Sequence, residues 1–504
     1  MRKNKGNILI TVISNVISVV VALIISFFVT QYIVANIGKE AYSFYPIANN
    51  FTTYFSAIFL ITNSLSSRFI MIPYLRRNYE DASKYCSTIL FSNIIITFVI
   101  FLIESIFFLN INSIINIPKY LLSEVKELFI YTLMTSIIYG LCSYFTVGYY
   151  VKERMDLQAI SSIAENVIKG FIVLYLLLND KITIASFGAS MFISACTRSF
   201  LDVCFYYYLM RDIPIKISSF SKNSLIEITK LGIWSLISQS GTLLISNVQL
   251  IISNKFLGVE NGSELALVQP LIVTCSLIAY TVSRFLDPTI TRNISNYSKE
   301  SKTSLKYIYI VIEICVVAPI AVILSISGSF YKLWIPNEYT NTLLILTILS
   351  CVEYIIMYLS LVNNSILTTF FKVKEKAIAY LLSGAFNLIL IFLFLSFTNL
   401  GNIAILLSAI ITYSLYHLVF ISKYTKHVLK DNQIDIPYLS IKDYFLYILI
   451  MIINLVIVSF VNIKGYLLLI LICVSLFIFD VLFISIVKKI KIKEFVAFLT
   501  KSNN

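Results

Sequence analysis

Ser67-Arg68-Phe69, followed by Pro73 and Arg77-Asn78, is written a second time as Ser283-Arg284-Phe285, Pro288 and Arg292-Asn293. Three more motifs recur in the same order. Ile117-Pro118 returns as Ile335-Pro336, Val151-Lys152-Glu153-Arg154 as Val373-Lys374-Glu375-Lys376, and Ala164-x-Asn166 as Ala385-x-Asn387. The copies lie about 216 to 222 residues apart. Ordered repetition at nearly constant offset predicts two halves with one fold. All four motifs sit in or beside long apolar runs, so the duplicated unit is a membrane bundle. Duplicated polytopic proteins place a substrate path between their halves.

Composition points the same way. The chain has 504 residues, 58% hydrophobic and 13% charged, with mean hydropathy +0.87. Soluble domains carry about 25% charged residues. Lipid must therefore be the solvent, and only helices or closed barrels satisfy their backbone groups there. The apolar runs have helix length, about 20 residues, where barrel strands would be about 10 and alternating. The fold class is an all-α polytopic membrane protein.

Fourteen spans are predicted, near 8–34, 42–66, 87–108, 126–150, 157–178, 184–208, 232–256, 266–284, 305–328, 341–368, 377–397, 403–422, 444–462 and 466–487. They group as a six-helix bundle over 1–215, a second over 220–430, two additional helices over 440–490, and a cytoplasmic tail at 491–504. Arg2, Lys3 and Lys5 precede the first run, which is too long for a cleaved signal and reads as a retained span. With the N-terminus in the cytoplasm, 30 of the 39 Lys and Arg fall in cytoplasmic segments, 7 in external loops and 2 within spans. That bias follows the positive-inside rule and puts both termini in the cytoplasm. The net charge of +13 is then an anchor against anionic lipid and calls for no nucleic acid.

The eight cysteines are scattered and form no CxxC pair; they read as packing residues in apolar runs. Two histidines, His417 and His427, are too few for a histidine-rich metal site. No GxxxxGK[ST], GxSxG or HExxH pattern occurs. The expectation is a protein that is not an enzyme, with no metal and no cofactor.

A charge in the bilayer core is costly unless it is paired or faces water. Span 5 carries Glu165 and Lys169, and span 6 carries Arg198 and Asp202, each pair four residues apart and able to bridge within its own helix. The four could also form one quartet near mid-bilayer. One reading is a self-neutralising packing network; the other is a cationic substrate site at Lys169 and Arg198, with Glu165 and Asp202 as ion-coupling or pairing groups. Arg68 and Arg284 occupy the same place in the two halves, at the cytoplasmic ends of spans 2 and 8. They either snorkel to headgroups or flank a cavity mouth, where the guanidinium fork suits pyrophosphate. Glu313, Glu353 and Asp480 stand as lone carboxylates, with Glu353 kept as a further ion-coupling candidate. Glu104 lies near the outer end of span 3, within reach of water. His417 reads as a satisfied buried histidine.

The chain resembles the polysaccharide-exporter branch, the Wzx-type O-antigen flippases, of the multidrug/oligosaccharidyl-lipid/polysaccharide (MOP) exporter superfamily. The features that carry the resemblance are the twelve-plus-two span plan, the Gly38 and Gly258 turns, Lys230-x-Gly232, Leu333-Trp334-Ile335-Pro336 and the two Val-Lys-Glu elements. It implies a MATE-like fold, two pseudo-symmetric six-helix bundles plus two C-terminal helices. It implies a bacterial plasma-membrane flippase that moves undecaprenyl-pyrophosphate-linked oligosaccharide, an O-antigen or capsule repeat unit, outward by alternating access. Membrane lipid, a polysaccharide polymerase and chain-length proteins are the partners it implies. Related lipid II flippases carry cavity arginines on spans 2 and 8, matching Arg68 and Arg284, and one on span 1, where this chain has no Arg or Lys. That departure argues against a peptidoglycan precursor or makes Lys169 and Arg198 the substitutes. The alternatives are a drug or cation antiporter of the same fold, and a polytopic polymerase or acyltransferase; short external loops and the two-half repeat weigh against the last two.

Overall fold

A computed structural model describes residues 5–490, apart from 64–65, 180, 296 and 437–440. The expected tail at 491–504 lies outside the described residues. No strand occurs among the described residues. Among the described residues, twelve helices are long and apolar enough to cross a membrane. In chain order they are span 1 (Lys5–Ile37), 3 (Tyr79–Leu109), 4 (Lys119–Val151), 5 (Met155–Leu178), 6 (Ile184–Leu209), 7 (Lys222–Leu257), 8 (Val259–Ser295), 9 (Lys299–Trp334), 10 (Asn341–Thr369), 11 (Val373–Phe397), 12 (Asn402–Asp431) and 14 (Tyr466–Val487). Span 13, Ile441–Ser459, is shorter.

Span 2 departs from expectation. It runs past residue 66 to Leu75, its described pieces being Lys39–Ser56, a 3-10 turn at Ala57–Phe59, Leu60–Asn63 and Ser66–Leu75. Its polar side chains at Thr62 and Asn63 find partners on other spans. Thr62 Oγ1 donates to Asn93 Oδ1 at 2.6 Å, and Asn93 Nδ2 donates to Asn63 Oδ1 at 2.9 Å and Ser143 Oγ at 3.0 Å. Irregular backbone at membrane depth persists only where such partners replace water.

The chain falls into two compact units, Met1–Ala266 and Leu267–Asn504. Span 7, which opens the second sequence repeat, packs inside the first unit, against spans 2 and 3. The crossing depends on Gly232: a Cβ there would lie 1.9 Å from the Ile61 carbonyl oxygen. The Lys-x-Gly signature of the sequence is thus a backbone-to-backbone contact. Two π-helical turns in span 7, Leu243–Asn247 and Ser253–Leu257, disturb the usual hydrogen-bond ladder. Asparagines meet the carbonyls there. Asn50 Nδ2 donates to Asn247 O and Asn247 Nδ2 to Asn50 Oδ1, both at 3.1 Å. Asn116 Nδ2 donates to the carbonyls of Asn254 and Lys255 at 2.9 Å.

Both repeats end their first span on glycine with positive φ, Gly38 at 91° and Gly258 at 98°. Their fourth spans also end alike. Glu153 and Phe371 have φ of 54° and 58°, and the next amides bond back identically, Arg154 N to Tyr149 O at 2.8 Å and Lys372 N to Leu367 O at 2.9 Å. The Val-Lys-Glu copies are out of step with this turn. The first closes span 4, whereas the second opens span 11. Their offset exceeds that of the turn by four residues, about one helical turn.

Within the second unit, spans 13 and 14 pack on span 9. Val322, Ile326 and Leu476 form a buried cluster there. Two polar ties reinforce it. Asn454 Nδ2 donates to both carboxylate oxygens of Asp480, at 3.1 and 2.8 Å, with both residues fully buried. Lys488 Nζ lies 2.8 Å from Glu313 and 2.6 Å from Asp443. Glu313 and Asp480 therefore are not lone carboxylates. Glu313 is met from beyond the end of span 14 and Asp480 from the helix just before its own, pairings that hydropathy alone does not give. At Lys488, beyond the end of span 14, burial lowers the ammonium's pKa, and the two carboxylates outweigh that and hold it above its usual value.

Candidate functional site

Spans 4, 5 and 6 meet around three of the four charges singled out in the sequence. Arg198 lies 14 residues into span 6 and 11 from its end, roughly 21 and 17 Å along the axis at 1.5 Å per residue. Its Nη1 donates to Glu165 Oε2 on span 5 at 2.9 Å, and its Nε lies 3.8 Å from Asp202 Oδ2 one turn on. The carboxylates are held from their other sides by tyrosines. Tyr139 OH donates to Glu165 Oε1. Tyr149 OH donates to Asp202 Oδ1 at 2.7 Å and lies 3.2 Å from Ser161 Oγ. Side-chain exposure is 29% for Arg198, 18% for Glu165 and 6% for Asp202.

This arrangement gathers three of the four charges of the expected quartet, keeps the in-helix contact of Arg198 with Asp202 and leaves Lys169 out. Glu165 turns from its helical neighbour Lys169 to Arg198 on the facing helix. A guanidinium reached across a helix interface offers a hydrogen-bonded pair in which both partners lose water together, and an in-helix ammonium four residues away offers only a screened contact. The cluster is a trio with two tyrosine hydroxyls, carrying two carboxylates for one cation. Lys169 is half-buried and makes no ion pair among the described residues. Span 1 crosses span 5 beside it, with Ile25 Cδ1 3.3 Å from where a Cβ on Gly170 would lie.

Arg68 and Arg284 lie in helices Ser66–Leu75 and Val259–Ser295, and their side chains are outside the described residues. Glu353 is buried in span 10, with 1% exposure. His417 sits in a π-helical stretch, Ser414–Ile421, within 2.5 Å of Ser360 Oγ through Nδ1. Tyr380, Tyr413 and Tyr416 surround its ring. Glu104 is buried rather than at an exposed helix end: it is 7% exposed and lies 2.5 Å from Ser136 Oγ. Sequence reasoning missed Tyr139, Tyr149 and Ser136, because a hydroxyl that completes a charged network carries no hydropathy signal of its own.

The fold is one that solved structures of MATE-family and MurJ proteins share. No family model matches the chain. A lipid II flippase, MurJ, in an inward closed conformation superposes with a TM-score of 0.64, 15% identity, 95% of this chain covered and 99% of that one. An outward-facing multidrug resistance MATE family transporter of the MOP superfamily gives 0.62, 13%, 86% and 100%. Among curated proteins, the uncharacterized membrane protein EpsK of Bacillus subtilis (strain 168) is 26% identical over 416 residues, 79% of this chain and 81% of its own length.

Proposed function

We propose that the chain is a flippase for undecaprenyl-pyrophosphate-linked oligosaccharide, carrying an O-antigen or capsule repeat unit from the cytoplasmic to the outer face of a bacterial plasma membrane. The observation that carries the reading is the MOP fold shared along 95% of the chain with a lipid II flippase. An amphiphile with a glycan head and a prenyl tail needs a polar path beside lipid, which a duplicated bundle supplies. Arg68 and Arg284 are the proposed pyrophosphate ligands, and Lys169 is the cation of span 5 left to assist them. Arg198 is committed to Glu165 and Asp202 and contributes less. The prenyl tail stays in lipid while access alternates, with both termini cytoplasmic.

The test follows lipid-linked glycan in a deletion strain carrying wild type, Arg68→Ala with Arg284→Ala, or an empty vector. The expected result is loss of surface glycan in the empty-vector and double-variant strains. Undecaprenyl-linked oligosaccharide then accumulates at the cytoplasmic face, with the variant inserted at wild-type level. Normal surface glycan in the deletion overturns the reading. The excess of carboxylate in the Glu165–Arg198–Asp202 trio favours a second reading, cation antiport. Export of a cationic dye that disappears with Glu165→Gln would establish it.

A further inference from the structure

A pocket in the first unit lies between spans 2, 3 and 4, away from the ion trio. Phe51, Phe55, Phe107, Phe108 and Phe129 line it, together with one carboxyl, Glu104. The rings pack edge to face, Phe51 on Phe129 at 5.6 Å and Phe55 on Phe107 at 5.6 Å. Glu104 Oε2 lies 2.5 Å from Ser136 Oγ, and Oε1 has no hydrogen-bond partner among the described residues. An ionised carboxylate so placed would lack most of the partners it needs.

Hydrogen-bond bookkeeping gives this carboxyl two satisfied states. Ser136 Oγ lies 2.5 Å from Glu104 Oε2 and 3.0 Å from the Leu133 carbonyl. A serine hydroxyl has one proton to donate. When Glu104 is ionised, that proton goes to the carboxylate. When Glu104 is neutral, its own O–H donates to Ser136 Oγ, and the serine turns its proton to Leu133 O. No heavy atom moves between the two states. The space open to the centre of a water-sized sphere is about 30 Å³, and a water needs about 10–15 Å³ on that measure. The pocket that Glu104 lines therefore has room for two or three waters.

We infer that Glu104, at the floor of this pocket, is a proton-binding site on the outer half of span 3, loaded and unloaded through the pocket. The word "outer" rests on the orientation taken under the proposed function; the site itself does not. A proton suits the chemistry better than a metal ion. Hard cations such as calcium take roughly six to eight oxygens, and here five phenyl rings surround one carboxyl. The hydroxyls in reach are that of Ser136 and those of Thr52 and Thr132, which donate to Ala48 O at 3.4 Å and Leu128 O at 2.8 Å. The lining holds no second titratable group. On the elements that form it, Tyr54 donates to Leu243 O at 3.4 Å and Tyr131 stacks near Phe192. Glu124, Lys126 and Glu127 lie in the first turns of span 4, outside the lining. Lys84 and the other charges of span 3 lie about 30 Å or more along the helix.

The test is labelling of the full chain in lipid nanodiscs with dicyclohexylcarbodiimide, which adds whole to a protonated carboxyl in apolar surroundings. The readout is the adduct at Glu104 by peptide mass spectrometry. The expected result is labelling at acidic pH that falls about tenfold per pH unit above its midpoint. Sodium at matched ionic strength should leave it unchanged, and Glu104→Gln should remove it. Ser136→Ala, which deletes the donor to the ionised form, should move the midpoint upward. No adduct at any pH, a pH-independent adduct, or protection by sodium would each overturn the inference. Labelling needs no substrate, so the result is independent of what the protein transports.

Discussion

Spans 5 and 6 and spans 11 and 12 occupy corresponding places in the two repeats, and they are joined by opposite chemistry. The first pair is held by Arg198 between Glu165 and Asp202, with Tyr139 and Tyr149 on the carboxylates. The second pair uses neutral contacts. Asn387 Oδ1 accepts from Thr412 Oγ1 at 3.4 Å, and the rings of Tyr380 and Tyr416 stack at 4.3 Å with an 8° interplanar angle. A helix pair of this shape therefore needs no charge to associate. Two half-buried charges and the buried Asp202 cost several kcal/mol of desolvation that neutral residues avoid. The ions of the first repeat are expected to serve something besides packing, and substitutions test this.

The comparison can be broken with substitutions. The largest effect is expected from Arg198→Ala, which leaves two carboxylates without a counter-charge. A loss of about 3–5 kcal/mol should appear as a lowered thermal midpoint in detergent. Tyr380→Ala removes a buried ring from the neutral pair and should cost about 3 kcal/mol by the same measurement. The combined change Glu165→Gln, Arg198→Met and Asp202→Asn rewrites the first pair in the style of the second. It should recover most of the stability lost by Arg198→Ala, because removing a whole buried ion cluster is often neutral. A triple variant as unstable as the single one would make the trio a packing device after all. Thr412→Val should cost about 1 kcal/mol, the value of one hydrogen bond between spans 11 and 12. The smallest stability effect belongs to Lys169→Ala, within about 0.5 kcal/mol, since no ion pair is lost.

How far the sequence could be read follows from what each feature depends on. The spans were legible because lipid demands long apolar runs, and spans 5, 6, 10 and 14 lie within a few residues of their expected bounds. Gly38 and Gly258 were legible because positive φ selects glycine. The hydrogen bonds of Thr62 and Asn63 in span 2 were not, since their partners Asn93 and Ser143 lie on other helices. The partners of Glu313 and Asp480 were hidden for the same reason: sequence gives the spacing along one helix and is silent about the facing one, whereas the quartet reading already placed Glu165 beside Arg198. The Val-Lys-Glu copies show a further limit. Matching letters placed a turn and a helix start in correspondence, four residues off the register that the Glu153 and Phe371 turns define. The division between an ion-paired Arg198 and a Lys169 outside the trio was legible only in three dimensions.

The most direct measurement is surface glycan in the deletion strain complemented by Lys169→Ala beside the Glu165→Gln, Arg198→Met, Asp202→Asn triple variant, each at wild-type membrane abundance. The account predicts that Lys169→Ala lowers surface glycan and accumulates lipid-linked oligosaccharide at the cytoplasmic face, while its thermal midpoint stays at the wild-type value. Full surface glycan with Lys169→Ala would contradict it, and would leave span 5 with no role in holding the substrate.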